Sequence, residues 1–369
     1  MALNEVSLRE KIGQMLIMGF AGTHIDDHSK IVHAIDNDNI GGVILFDYDN
    51  DTKQFNKNIT DPKQVTLLNS KLQDFTKVAN LKHQRPALPL LISVDYEGGM
   101  VNRLKTNYGF PETKSAAKVA QLSVDAAKQQ AAAMAATLQM SGFNLNFAPM
   151  LDVNVNPENP IVGAIERSFS ANPKTVALYA EIYAKQFLQH NIQCAYKHFP
   201  GHGSSTADSH LGFVDVTDTW QPYELDPYKI LFANKKHTCQ MVMTAHIINR
   251  NLDASGLPAT LSHKMLTELL RHELKFTGVI ITDDMQMKAI SDHYGLDQAL
   301  VLAINAGADM FIFGNNLGLP AQDSSQLIDI IENKVHSGAI DHALIDASYE
   351  RILALKQGHI QSTIFKPAT

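Results

Sequence analysis

The chain reads as an α/β protein, a single (β/α)8 barrel of TIM type spanning 1–369, and three observations carry that reading. Eight short apolar runs recur at intervals, helical patterns fill the spaces between them, and ionisable residues gather where the runs end. Alternation of this kind implies a parallel sheet closed by helices. With 369 residues, 45% of them hydrophobic, the core is large enough for one big barrel or two smaller domains. The absence of a linker or low-complexity tract favours one.

The strand candidates are QMLIMGF (14–20), GGVILFD (41–47), LLISVDYE (90–97), FNLNFAPM (143–150), CAYKHFP (194–200), QMVMTAHI (240–247), GVIITDD (278–284) and ADMFIFG (308–314). Most lack period-two alternation, which suits strands covered on both faces. Helical spacing is found over 26–37, 64–79, 114–141, 173–190, 222–235, 263–274, 296–306 and 324–335, with a further helix over 342–356. Asn172 before Pro173, and Ser262 before HKMLTELL, carry N-cap signals. A doubly wound open sheet is disfavoured, because the turn after MLIMGF is AGTHIDD rather than a glycine-rich phosphate loop. The longest polar stretch, 47–63, is expected to be a surface loop at the rim.

Charged residues make up 19% of the chain and the net charge is −7, a balance that does not favour a polyanion partner, so no nucleic acid partner is expected. No apolar run reaches the length of a membrane span, and MLIMGF is too short for a signal-peptide core. The expectation is a cytoplasmic monomer with no membrane partner, or a periplasmic or secreted protein if a leader has been removed. Cys194 and Cys239 lie in or beside apolar runs and are expected to be buried thiols rather than a disulfide framework.

Barrels of this type carry their chemistry at the C-terminal ends of the strands. There the third run ends in Asp95, followed by Glu97 and Arg103. Asp152 and Arg167 follow the fourth, Lys197 and His198 end the fifth, His246 the sixth, and Asp283 with Asp284 the seventh. Charges clustered toward one rim serve a site more often than they serve the fold. A metal is one alternative, since His198 and His202 are four apart, but Phe-Pro-Gly between them breaks the helix that would align them. Glycoside hydrolysis is the other: it needs a nucleophile and an acid flanking the scissile bond. Asp283 would be held rigidly at a strand end, with Asp284 facing elsewhere. Asp208 and His210 would form an acid–base pair on a loop, 201–215, whose glycines and small polar residues suggest mobility.

The stretch KHFPGHGSSTADSH (197–210) resembles the signature of glycoside hydrolase family 3, in its β-N-acetylglucosaminidase branch. VDYEGGMVNRL (94–104), LNFAPMLDVN (145–154), ERSF (166–169), MTAHI (243–247) and ITDDMQMKAI (281–290) match further pieces in order, so the resemblance covers nearly the whole chain. It implies a retaining double displacement with no cofactor and no metal, acting on a terminal β-linked N-acetylglucosamine of a muropeptide or chitin fragment, and a place in peptidoglycan recycling. By position, Asp283 is the nucleophile, His210 the acid/base and Asp208 its orienting partner. Asp95, Arg103, Arg167, Lys197 and His198 match the residues that hold the sugar. Branches of the family that act on glucosides usually take their acid from a second domain, which this chain is expected not to use.

Three residues depart from the pattern: Tyr96 for glutamine, Met100 for arginine and Ser204 for aspartate. The first two stand where they would alter ground beyond the first sugar subsite. His202 and His246 each read either as packed residues or as part of the site's boundary, Trp220 as packing under the next helix rather than a sugar platform, Met285 as pocket floor and Met287 as core. Three other readings stay open: phosphate in place of water in the second step, a metal-dependent barrel hydrolase, and an inactive sugar-binding barrel.

Overall fold

The computed structural model describes residues 6–208, 212–234 and 238–364. Eight parallel strands close into a barrel in sequential order: β1 (Leu16–Gly19), β2 (Gly42–Ile44), β3 (Leu91–Val94), β4 (Leu145–Asn146), β5 (Gln193–Phe199), β6 (Met241–Thr244), β7 (Val279–Asp284) and β8 (Met310–Phe313). All eight apolar runs contribute one strand each, and β1 pairs with both β2 and β8 to complete the ring.

The helices are α1 (Leu8–Gln14), which precedes β1, then α2 (Lys30–Asp38), α3 (Pro62–Lys82), α4 (Val124–Met140), α5 (Pro173–Gln189), α6 (Asp226–Ala233), α7 (Lys264–Glu273), α8 (Leu296–Ala306), α9 (Ser324–His336) and α10 (His342–Ile364). The first of these was not anticipated, although Ser7 and Glu10 form a reciprocal capping box at its start. The pattern over 114–141 divides into a short turn, Ala116–Val119, and α4, because the Ser123 hydroxyl caps a new helix by accepting from the Ala126 amide. Asn172 caps α5 as expected. Ser262 accepts from the Met265 amide at the head of α7, whose turns are of the wider π type.

Strand β4 has only two residues, yet it is firmly joined to β3. Asn144 accepts from the Ile92 amide and donates to the Leu90 carbonyl, and Asn146 does the same with both polar groups of the Tyr96 backbone. The carboxamides stand in for ladder bonds where the backbone turns away toward Pro149. At the opposite end of the barrel Asp309 accepts from Arg271, Arg351, Ser348 and the Ile280 amide, tying α7 and α10 under β7 and β8.

The cysteines correct an expectation. Cys194, in β5, and Cys239, just before β6, form a disulfide with their Cα atoms 5.0 Å apart. They are far apart in sequence, but β5 and β6 are neighbours, so the barrel places them side by side. Closing a loop across a separation of 45 residues stabilises the fold by about 2–4 kcal/mol in the chain-entropy picture. Urea unfolding in the presence of a reductant is therefore expected to show a midpoint lowered by an amount of that order. Superimposable oxidised and reduced curves would refute a stabilising role.

Candidate active site

A cavity of about 310 Å³ opens at the C-terminal end of the barrel. Asp95, Arg103, Arg167, Lys197, His198 and Asp283 all line it, so six residues named from four separate segments converge. Asp208 lies outside that lining, and His210 lies outside the described residues.

The segment after β3 builds one wall. The chain turns back at Gly98 and Gly99, whose φ angles are 96° and 63°. A Cβ on Gly98 would sit 2.3 Å from the Lys114 carbonyl oxygen, so the turn excludes any larger residue. Tyr96–Gly98 and Val101–Asn102 pair antiparallel, and the Arg103 amide then bonds the Asp95 carbonyl. Asp95 and Arg103 thus flank the same opening. The Arg103 guanidinium lies over the Phe46 ring at 5.9 Å and 3.8 Å from Asp47.

Below them lies a buried ion network. Lys197 donates to Asp95 at 2.9 Å and lies 2.7 Å from Glu97. Arg167 meets Glu97 in a two-pronged pair of 2.8 and 2.7 Å, and its remaining nitrogen donates to the Ile161 carbonyl. Burial pushes the Glu97 carboxyl upward, but Arg167 and Lys197 outweigh it and hold the group far below the usual carboxylate range. Burial likewise disfavours charge on Lys197 and Arg167, and the facing carboxylates raise both above their ordinary values. Asp95 and Glu97 balance Lys197 and Arg167, so the network is internally neutral.

The neighbouring strand carries a second device. The fully buried Asp152 accepts from the backbone amides of His198 and His202 and from the His198 ring nitrogen Nδ1 at 2.7 Å. Burial opposes its charge, and the histidines keep its pKa below the ordinary value. This fixes the His198 ring so that its other nitrogen, Nε2, faces Asp283 at 4.0 Å. Asp283, next to the last residue of β7, has about a quarter of its side chain exposed, and its Oδ1 accepts the Asp284 amide. Asp284, expected to face elsewhere, also lines the cavity, while its carboxylate accepts from the Gln286 amide just after β7 and the Gly314 amide just after β8.

The stem of the loop that leaves β5, residues 201–205, is buried and stitched down. Asn156 and Asn159 donate to the Ser205 and His202 carbonyls, and Glu224 accepts the Gly203 amide. Burial raises the Glu224 carboxyl to about 7. A Cβ at Gly203 would overlap the Val153 carbonyl oxygen at 1.6 Å, which explains the glycine. Exposure begins at Thr206 and Ala207. The chain returns at Phe213, whose ring stacks on His293 at 3.5 Å.

His202 is buried within the cavity wall and burial lowers its pKa to about 4, so it is neutral near pH 7. His246 bonds Thr260 and the Asp284 carbonyl, and Trp220 packs in the core with its ring N–H on the Pro200 carbonyl. Met285 and Met287 exchange their expected places, for Met285 joins the core and Met287 lines the cavity. Neither Tyr96, which is fully buried, nor Met100, which faces outward, touches the cavity. The outer lining comes from Tyr48 and Asn50, in the polar stretch expected at the rim, and from Asn316 and Leu317 in the loop after β8.

A family model described as the glycosyl hydrolase family 3 N terminal domain matches residues 7–355. The chain belongs to glycosyl hydrolase family 3. Beta-hexosaminidase A of Pseudoalteromonas piscicida is 33% identical to it over 347 residues, covering 88% of this chain and 54% of that protein. Beta-hexosaminidase LpqI of Mycobacterium tuberculosis is 29% identical over 367 residues, covering 95% and 83%. Among solved structures, a family 3 β-N-acetylglucosaminidase from Paenibacillus sp. str. FPU-7 aligns with a TM-score of 0.85 at 33% identity, over 99% of this chain and 65% of that one. The family 3 chain described here thus spans about half the length of one relative and just under two thirds of another.

Removing Glu97 from the family 3 network takes away the carboxylate shared by two buried cations and the two-pronged partner of Arg167. Glu97→Leu is expected to cost about 3–5 kcal/mol in urea unfolding. Glu97 binds fewer protons folded than unfolded, because its folded pKa lies below its ordinary value of 4.5. Its contribution is therefore complete above that value and declines as pH falls below it. A loss under about 1 kcal/mol, the scale of an exposed pair, would contradict the network.

Proposed function

We propose that this chain hydrolyses a terminal β-linked N-acetylglucosaminide with retention of configuration. The observation that carries the reading is Asp283, a carboxylate on a strand end that opens into a cavity walled by Asp95, Arg103, Arg167, Lys197 and His198. The volume, about 310 Å³, stands at the small end of the roughly 300–1,000 Å³ range of ligand cavities. That size suits one sugar ring and hence attack on a chain terminus.

In the first step an Asp283 oxygen bonds to the anomeric carbon as the bond from that carbon to the leaving oxygen breaks. His210, oriented by Asp208, gives its proton to that oxygen. In the second step the same histidine takes a proton from water, the water oxygen bonds to the anomeric carbon, and the Asp283 carboxylate departs. Asp95, Lys197 and Arg103 bond sugar hydroxyls, and Arg167 serves chiefly by fixing Glu97 and thereby Lys197. His198, clamped by Asp152, holds a hydrogen-bond position beside Asp283. The stitched stem at 201–205 supports this scheme, because it anchors the loop carrying Asp208 to the same rim as Asp283.

The substrate is read as a muropeptide or chitin fragment, the acceptor as water and the active unit as a monomer. On location, no helix among the described residues is long and apolar enough to cross a membrane. The Cys194–Cys239 disulfide favours an oxidising compartment over the cytoplasm, and so weighs against a cytoplasmic recycling role. Among the described residues no three His, Cys, Asp or Glu side chains are grouped to hold a metal, and no step above is routed through one.

Asp283→Ala is expected to lower kcat on an aryl β-N-acetylglucosaminide by about a thousandfold or more, with the unfolding midpoint little changed. Exhaustive dialysis against a chelator is expected to leave the wild-type rate unaltered. Full activity in Asp283→Ala would defeat the assignment, and a chelator loss restored by zinc would move it to a metal-dependent reaction.

A further inference from the structure

The cavity does not end at its rim. In the polar stretch after β2, Tyr48–Asp49 and Gln54–Phe55 form a small antiparallel hairpin, with Tyr48 directly opposite Phe55. Tyr48 lines the cavity, and its ring meets the Phe55 ring edge-on at 5.1 Å. Phe55 is 59% exposed, so it carries the aromatic wall outward from the opening into solvent. A lone exposed phenylalanine needs no explanation, but this one extends a cavity wall on a built support.

The support is rigid. Asn316, buried in the loop after β8, accepts from the Asn50 amide and from Lys57 Nζ, and its amide nitrogen donates to the Tyr48 carbonyl. Lys57 also donates to the Asn315 carbonyl, and the Gly318 amide donates to Asp51. The hairpin is thereby fastened across the mouth to the loop after β8, which supplies Asn316 and Leu317 to the same cavity.

We propose that Tyr48 and Phe55 form the platform for the leaving group, and that the leaving group they select is a neutral pyranose. This rests on the reading of Asp283 as the nucleophile. Flat aromatic faces match the apolar C–H face of a β-linked sugar ring. The cations beside Phe55 face carboxylates: Lys105 sits 2.6 Å from Asp47 and over the Phe55 ring at 5.6 Å, and Lys57 faces Asp49 at 3.8 Å, while Arg103 belongs to the sugar-holding wall. A surface with its charges paired in this way favours an uncharged sugar over an anionic peptide.

The test compares two substrates that share the N-acetylglucosaminyl group. One is β-N-acetylglucosaminyl fluoride, whose leaving group is too small to reach Phe55. The other is the β-1,4-linked disaccharide of N-acetylglucosamine. For Phe55→Ala, the ratio of kcat/KM on the disaccharide to that on the fluoride is expected to fall about tenfold, mainly through KM. Phe55→Trp is expected to restore most of that ratio. An unchanged ratio in Phe55→Ala, or a Phe55→Trp variant as impaired as the alanine one, would overturn the platform. Failure of the wild-type chain to cleave either substrate would instead overturn the hydrolase reading on which it rests.

Discussion

The ammonium of Lys197, sunk between Asp95 and Glu97 at the end of β5, is the interaction on which the site depends. A buried cation costs several kcal/mol unless its charge is matched, and a matched pair tolerates burial only when every remaining donor finds an acceptor. Here the match is made by two carboxylates, one of which is gripped from its other side by Arg167. Because the four charges cancel, the barrel can keep an ionic floor without drawing counter-ions into the cavity. Asp95 is thereby left with one oxygen committed to Lys197 and a position at the opening.

That floor also explains why the chain is so constrained around it. The glycine pair at 98–99 turns the segment after β3 back on itself, which puts Glu97 inward and returns Arg103 to the rim. Asp152 organises the adjacent strand end by accepting three hydrogen-bond donors from His198 and His202, leaving the imidazole of His198 aimed at Asp283. The scaffold is rigid where the sugar would be held, and exposure begins only at Thr206, just before the proposed acid–base pair. Rigid strand ends for positioning, with the proton-transfer group on a loop, is a division of labour that double displacement can use, since the acid must act twice from one side.

Much of this was legible in the sequence. Each barrel strand announced itself as an apolar run, and the ionisable residues at the ends of runs three, four, five and seven do meet. What sequence reading missed has physical causes. The disulfide depends on β5 and β6 being neighbours, a fact of closure rather than of spacing along the chain. The hairpin at Tyr48–Phe55 is two residues per strand, too short for any period, and it is held by Asn316 from more than 250 residues away. Glycines at 201 and 203 suggested motion, and they also stand where Glu224 and Val153 leave no room for a side chain. Met285 and Met287 occupy each other's expected places, because the chain leaves the strand in a turn after Asp284 and the side-chain directions there follow the turn. His210 lies outside the described residues, so its role rests on the resemblance of its motif and on the loop that leads to it.

The most direct test of the account is to trap the covalent intermediate. Incubating the wild-type chain with a fluorinated N-acetylglucosaminyl fluoride, which slows the second step more than the first, should add one sugar mass to the intact protein. Proteolysis followed by fragment sequencing should place that mass on Asp283, within the segment that ends β7. A label on any other carboxylate, or turnover of the reagent with no adduct at any time, would contradict the account.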